Sequence, residues 1–334
     1  MHATHNKTNN QSVAGFARTA VSTAICTAIA GLTLASASAF AAAPMVKTAA
    51  PGFFRMMLGD FEVTAISDGT VDLDATKILH ADGKKVQKEI DAAYLTTPTE
   101  TSVNAYLINT GTKLVLIDTG AGVLFGPTLG RFAANLKAAG YQPEQIDEVY
   151  ITHMHGDHLG GLVPAGAPAF PNAIVRADQH DADFWLSQEK MDAAPAAMKD
   201  FFKGAMASLT PYVKSNHFKP FNGATELVPG VKAQPAYGHT PGHTAYVVES
   251  GGKKLVLVGD MIHVQAVQMA DPATTISFDS DAKAAKAQRL STFAAVAKEG
   301  SLIGASHLQF PGIGHLRAKG KGFEWVPVNY TRMP

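Results

Sequence analysis

"ITHMHGDHLGG", residues 151–161, sets three histidines and an aspartate within six residues, after an apolar run and before a pair of glycines. In an extended segment, side chains two apart share a side, so His153 and His155 can present both imidazoles to one ion. Asp157 and His158 are neighbours that diverge, which suits a second ion close by. Gly156, Gly160 and Gly161 permit the tight backbone this requires. The strand pattern "DEVYITH" delivers the cluster.

Further donors stand at strand ends and in loops. "YGHTPGHT" places His239 in a Gly/Pro loop, "LVLVGD" places Asp260 at the end of a strand, and "GASHLQFPGIGH" offers both His307 and His315. His243 lies four residues after His239, but Pro241 and Gly242 prevent the helix that would bring both to one ion. It reads as a structural hydrogen-bonding residue. With imidazole and carboxylate donors and no thiolate, Zn fits first, and Mn, Co or Fe are accepted by the same set.

These residues resemble the metallo-β-lactamase superfamily of metallohydrolases, over nearly the whole chain from about residue 52. The resemblance implies an α/β fold, the αββα sandwich of two mixed sheets with helices on the outer faces. It implies that His153, His155 and His239 hold one divalent ion, that Asp157, His158 and His307 hold the other, and that Asp260 bridges them. His307 is preferred to His315 because it directly follows the strand "SLIGAS". Asp118 in "LIDTG" would orient a ligand imidazole. A pair of ions about 3.5–4 Å apart activates a bridging hydroxide, with Asp157 and Asp260 as the catalytic carboxylates.

"GHTPGHTAYVVESGGKKLVLVGD", "ASHLQFPGIGHLRAKGKG" and "VPVNY" look like methyl parathion hydrolase and its relatives, the aryl-ester and lactone hydrolases of the dihydrocoumarin hydrolase type. That likeness implies an aromatic pocket of Phe125, Trp185 and Phe202. It also implies an apolar residue at position 263 in the organophosphate specialists. A histidine there, with Ile276 and Phe278 downstream, suits a carboxyl ester or lactone. The expected activity is aryl-ester or lactone hydrolysis with phosphotriester hydrolysis second, the alternative being a dedicated organophosphate hydrolase. A β-lactamase ranks lower, since its zinc sites usually depart from this full pattern. An iron-dependent sulfur dioxygenase would use fewer of these donors.

The remainder of the 334 residues frames this reading. Residues 1–41, with the apolar small-residue run "TAVSTAICTAIAGLTLASASAFA", read as a signal peptide of the general secretory route ending at Ala39-Phe40-Ala41. Cys26 sits in no lipoprotein box, and no twin arginine is present. The expected mature protein is exported, periplasmic or secreted, with residues 42–51 a flexible segment and 52–334 the hydrolase domain. Cleavage takes Lys7 and Arg18 and no acid from the balanced 28 and 28, leaving a net charge of −2, and removes the single cysteine. Thiol chemistry and disulfides are thereby excluded. Without a Lys/Arg run, nucleic acid is not an expected partner, and no membrane association is expected after cleavage. The partner is a small-molecule ester, lactone or phosphotriester. A homodimer is compatible with the sequence, which does not locate its face.

The coarse elements agree. "FEVTAISDG" and "NAYLINTGTKLVLIDTG" are strands with a hairpin at Thr110-Gly111. Residues 127–139, 179–188 and 195–208 read as helices. "AYVVES" and "KKLVLVGD" pair across Gly251-Gly252, and "DAKAAKAQRLSTFAAVAKEG" is a helix closed by Gly300. Such an order implies a sheet core with helices outside.

Overall fold

β-Branched alternation makes Phe61–Leu73 (β2) the longest strand, with Phe53–Leu58 (β1) and Thr99–Asn109 (β3) antiparallel on its two sides. The computed structural model describes residues 43–331 and 333, so the expected leader lies outside the described residues. Ala49–Pro334 forms one compact unit. Leu114–Ile117 (β4) joins β3 antiparallel, and Glu148–Tyr150 (β5) and Ile174–Arg176 (β6) follow in parallel, in the order β1-β2-β3-β4-β5-β6.

The second sheet comprises Thr225–Val228 (β7), Val231–Pro235 (β8), Thr244–Ser250 (β9), Lys253–Leu257 (β10), Leu302–Gly304 (β11), Ile313–Lys319 (β12) and Gly322–Pro327 (β13). Its order is β13-β12-β11-β10-β9-β8-β7, antiparallel except where β11 joins β10 in parallel. Helices are Ala75–Ile78 (α1), Gly83–Ala92 (α2), Phe132–Ala138 (α3), Gly156–Leu159 (α4), Gln179–Trp185 (α5), Gln188–Ala193 (α6), Lys199–Lys214 (α7), Gln265–Gln268 (α8) and Ala282–Glu299 (α9). No helix among the described residues is long and apolar enough to cross a membrane.

Burial assigns the layers. Val63, Ala65, Ile108, Val115 and Tyr150 of the first sheet meet Val231, Tyr246, Val248 and Leu255 of the second, with the Tyr150 and Tyr246 rings stacked at 5.6 Å. Outside the first sheet lie Leu136 of α3, Trp185 of α5 and Phe202 and Leu209 of α7. Outside the second lie Phe293 and Val296 of α9. This is the αββα sandwich expected from the sequence. Apolar area removed from water on three interfaces, worth about 25 cal/mol per Å², holds it together.

Two local features shape the site end of the sandwich. Between Ser67 and Gly69 the β2–β3 register shifts by one residue, so Asp68 is an unpaired bulge residue turned inward. Bulges re-aim side chains in this way. Its wholly buried carboxylate accepts from the N–H groups of Ala121 (2.8 Å), Gly130 (3.1 Å) and Phe132 (2.9 Å), pinning the loop after β4. That grip corrects the expected helix over 127–139. Gly130 has φ +82° and α3 begins only at Phe132, so Pro127 lies in a loop.

Candidate metal centre

The cluster of residues 151–161 leaves β5 as extended chain and then turns. His155, extended at φ −76° and ψ 152°, stands at the start of the short helix α4 that carries Asp157 and His158. The backbone is packed against its neighbour without room for side chains. A Cβ on Gly160 would lie 2.1 Å from the Ala121 oxygen, and one on Gly161 2.0 Å from that of Thr119. His239 comes from the loop between β8 and β9, Asp260 from the turn Gly259–Met261 after β10, and His307 from just beyond β11.

These side chains converge. Donor atoms of His153, His155, His239 and Asp260 all lie within 4.8 Å of one another, and Asp157, His158 and His307 form a second group by the same measure. Asp260 faces both: its Oδ2 is 3.5 Å from His153 Nε2 and 3.3 Å from His239 Nε2, while its Oδ1 is 3.1 Å from the Nε2 atoms of His158 and His307. Asp157 Oδ2 lies 3.5 Å from His158 Nε2 and 3.4 Å from His307 Nε2.

The chemistry of the set fits a pair of divalent cations. His153 Nε2, His158 Nε2 and Asp260 Oδ1 are buried without a hydrogen-bond partner among the described residues, although the last two stand 3.1 Å apart. Contacts of hydrogen-bond length without its geometry mean that lone pairs aim at points between the side chains, where a cation satisfies them all. Burial pushes the His153 and His155 imidazoles well below the ordinary histidine range, which favours the neutral, ligating form. Burial also works against a charged Asp260, yet the surrounding imidazoles of His158, His307, His263 and His153 hold its carboxyl well below the usual range. Burial also works against charge on His158, His239 and His307, yet the inward carboxylates push these imidazoles up, His239 to about 9, so cations bind there in competition with protons.

Orientation comes from bonds on the far side of each ring. Asp118 Oδ2 is 2.9 Å from His158 Nδ1, and the same carboxylate accepts from the Thr152 N–H and hydroxyl. Asp279 Oδ1 is 3.0 Å from His239 Nδ1, and the Ser102 carbonyl is 2.9 Å from His307 Nδ1. Each such bond leaves Nε2 for the centre. Asp181 of α5 accepts from Met154 N–H (3.0 Å), Gly242 N–H (2.6 Å) and the Thr240 hydroxyl (2.9 Å), tying the His153–His155 backbone to the His239 loop. Burial pushes its carboxyl up to about 6.

His243 stands outside the donor groups. Its Nε2 accepts from the Asp260 N–H (3.1 Å) and its Nδ1 faces the Ala236 carbonyl (3.2 Å). His315 is on β12, facing the Ser301 carbonyl. His263, expected to face substrate, instead lies within the donor cluster. It is buried, with Nε2 3.0 Å from Asp260 Oδ2 and its ring stacked on His307 at 4.9 Å, and it makes a third donor group with Asp260 and His307.

A cavity of about 800 Å³ opens beside His155. Phe184, Trp185, Met198 and Phe201 form one wall, and Tyr237, Thr240, Ser277 and Phe278 the other. Three expectations for the pocket need correction. Phe202 is fully buried under Trp185 and Phe184, because one helical step turns it from the cavity into the core, and Phe201 takes its place with its ring 5.2 Å from His155. Ile276 is also fully buried, paired with Leu79 in a β-bridge and packed with Val86 and Ile90. Phe125 lies over Gly156, whose Cβ would be 2.9 Å from its ring, and is 40 % exposed rather than part of the cavity wall.

The two neighbouring phenylalanines separate by experiment. Phe202→Ala should cost about 3–5 kcal/mol of stability in urea unfolding. Phe201→Ala should leave the midpoint nearly unchanged and raise KM severalfold. The reverse pattern would return Phe202 to the pocket.

The sequence profile of the metallo-beta-lactamase superfamily matches residues 98–307. This chain belongs to that superfamily. Superfamily members of this kind are metal-dependent hydrolases, and so is this protein, with a dinuclear divalent centre. Among solved structures it is similar to the hydrolase AbOPH, at 34 % identity and TM-score 0.81 over 85 % of this chain and 100 % of that one. It is also similar to AidC, a dizinc quorum-quenching lactonase, at 26 % identity and TM-score 0.78 over 84 % and 99 % of the two chains. An N-acyl homoserine lactonase of Bacillus cereus is 26 % identical over 163 residues, 48 % of this chain, and the match spans 56 % of that relative's length. One from Bacillus thuringiensis is 25 % identical over 60 % of this chain and 79 % of its own.

Nothing in the sequence pattern singles out Asp68, Asp181, Asp279 or Ser102. Each acts on backbone or rings brought to it from 27 to 205 residues away.

Proposed function

We propose that the protein hydrolyses carboxyl esters, lactones and aryl esters first, with phosphotriesters a secondary substrate. The observation that carries this reading is His263, a buried imidazole 3.0 Å from Asp260 within the donor cluster, its ring 5.9 Å from that of Phe278 on the cavity wall. The likeness to AidC and to the Bacillus lactonases supports the same choice. Two divalent ions at such a centre supply a nucleophile from water at neutral pH and polarise the scissile carbonyl.

The chain's own residues do the rest. Phe184, Trp185 and Phe201 offer flat apolar surface for the acyl or aryl group. Asp157 has 17 % side-chain exposure against 3 % for Asp260, so it is the carboxylate placed to carry a proton to the leaving oxygen. His153, His155 and His239 would hold one ion and Asp157, His158 and His307 the other, with Asp260 within reach of both. The metal is Zn in this reading. The leader of residues 1–41 takes the chain out of the cytoplasm, and the mass of chain recovered from the periplasm, full length or shortened, decides that point.

The test of the activity uses residues 42–334 loaded with Zn or Mn. We expect kcat/KM for an aromatic lactone or aryl ester to exceed that for a dimethyl aryl phosphotriester by tenfold or more, about 1.4 kcal/mol of transition-state preference. His263→Leu should shift that ratio towards the phosphotriester by a similar factor. A wild-type preference for the phosphotriester would sink the carboxyl-ester reading and make the protein an organophosphate hydrolase.

A further inference from the structure

Helix α9 buries a stripe of Ala285, Arg289, Phe293 and Val296, and the second of these is out of character. Arg289 is fully buried, and no carboxylate pairs with it among the described residues. Burying an unpaired cation is costly, and an apolar side chain of similar volume is often the more stable choice. Its guanidinium gathers carbonyls instead: Met261 through Nε, and Pro272 (3.0 Å) and Thr274 (2.6 Å) through Nη1.

Those carbonyls border the metal centre on two sides. Met261 follows Asp260 directly. Thr274 opens the segment whose Ile276 N–H donates to Asp279, the carboxylate that orients His239. A second buried side chain meets Arg289 at the same point. Gln268 accepts from the N–H groups of His263 (2.9 Å) and Val264 (3.0 Å) and donates to the Thr274 carbonyl (3.1 Å). Asp279 is also the carboxylate whose field reaches the guanidinium.

We infer that Arg289 is a positioning residue of the metal centre, clamping the Asp260 turn and the Asp279 segment at a fixed separation so that Asp260 and His239 meet the same ion. The other ion shares Asp260 but depends on the clamp less, because its remaining donors His158 and His307 are oriented by Asp118 and Ser102, outside the clamp. The inference rests on the two-ion centre and not on which ester is cleaved.

The experiment compares wild type, Arg289→Met, Arg289→Lys and Phe293→Ala. The last removes packing from the same helix and touches none of the three carbonyls. Zn affinities are read by competition with a chromophoric chelator, the Co(II)-loaded forms by visible absorption, and the metal-free forms by thermal unfolding. We expect both Arg289 variants to bind one ion roughly ten- to hundredfold more weakly and to show an altered Co(II) spectrum, the other ion holding within a few fold. Phe293→Ala should lower Tm and leave both affinities in place. Arg289→Lys keeps the charge and stem without the fork, so it carries the test if the Met variant does not fold. Wild-type affinity for both ions in an Arg289 variant overturns the inference, and so does an equal loss in Phe293→Ala. Wild type binding fewer than two ions counts against the two-ion reading instead.

Discussion

Asp260→Asn should lower kcat/KM by about a thousandfold or more, roughly 4 kcal/mol of transition-state stabilisation, and reduce bound metal from about two ions per chain towards one. The substitution keeps shape and removes charge. Oδ2 of Asp260 faces His153, His239 and His263, Oδ1 faces His158, and His307 lies within 3.2 Å of both oxygens. Asparagine would present an NH₂ group on one of those sides, a donor where the centre needs an acceptor. Metal analysis alongside steady-state kinetics checks both halves. Two retained ions with near wild-type turnover would mean that Asp260 does not bridge.

Stripping the metal should be as severe for stability as for activity. Ions that bind the native chain and not the unfolded one add about 4 kcal/mol each when present at a thousand times Kd. For a domain of this size each kcal/mol corresponds to roughly 2–4 °C in Tm, so exhaustive chelation should lower Tm by roughly 15–30 °C and abolish turnover. Readdition of Zn or Mn should restore both. Full activity in protein shown to be metal-free would refute a metal-dependent mechanism altogether.

The centre was largely legible because its donors announce themselves locally. His153, His155, Asp157 and His158 share one turn of chain, and His239, Asp260 and His307 each stand beside a strand end that the hydrophobic pattern already marks. The strand and helix periodicities imply a sheet core with helices outside, and the family resemblance adds the two-sheet sandwich. Illegible were residues whose meaning depends on what is folded against them. Asp68 becomes a loop anchor only through a one-residue register shift. Arg289 sits in an Ala/Lys helix where any arginine reads as solvated surface, until three distant carbonyls are brought to it. Phe201 and Phe202 carry the same side chain, and only the rotation of α7 decides which meets the cavity and which the core. Ile276 was misplaced because its burial depends on α2 packing from nearly 200 residues earlier.

Four of the donors, from His153 to His158, leave the end of the first sheet, while His239, Asp260 and His307 leave the second. No donor set exists until the two sheets have docked, and its outermost members are separated by most of the domain. A site completed only by docked sheets is expected to reach its ligating geometry after the transition state for folding. Metal therefore acts on the escape from the native state and not on the approach to it. It should slow unfolding and leave the refolding rate nearly unchanged, as interactions absent from the transition state do, and stopped-flow folding with and without Zn checks it. In metal-poor surroundings the chain reaches its fold as quickly, and keeps it for less time.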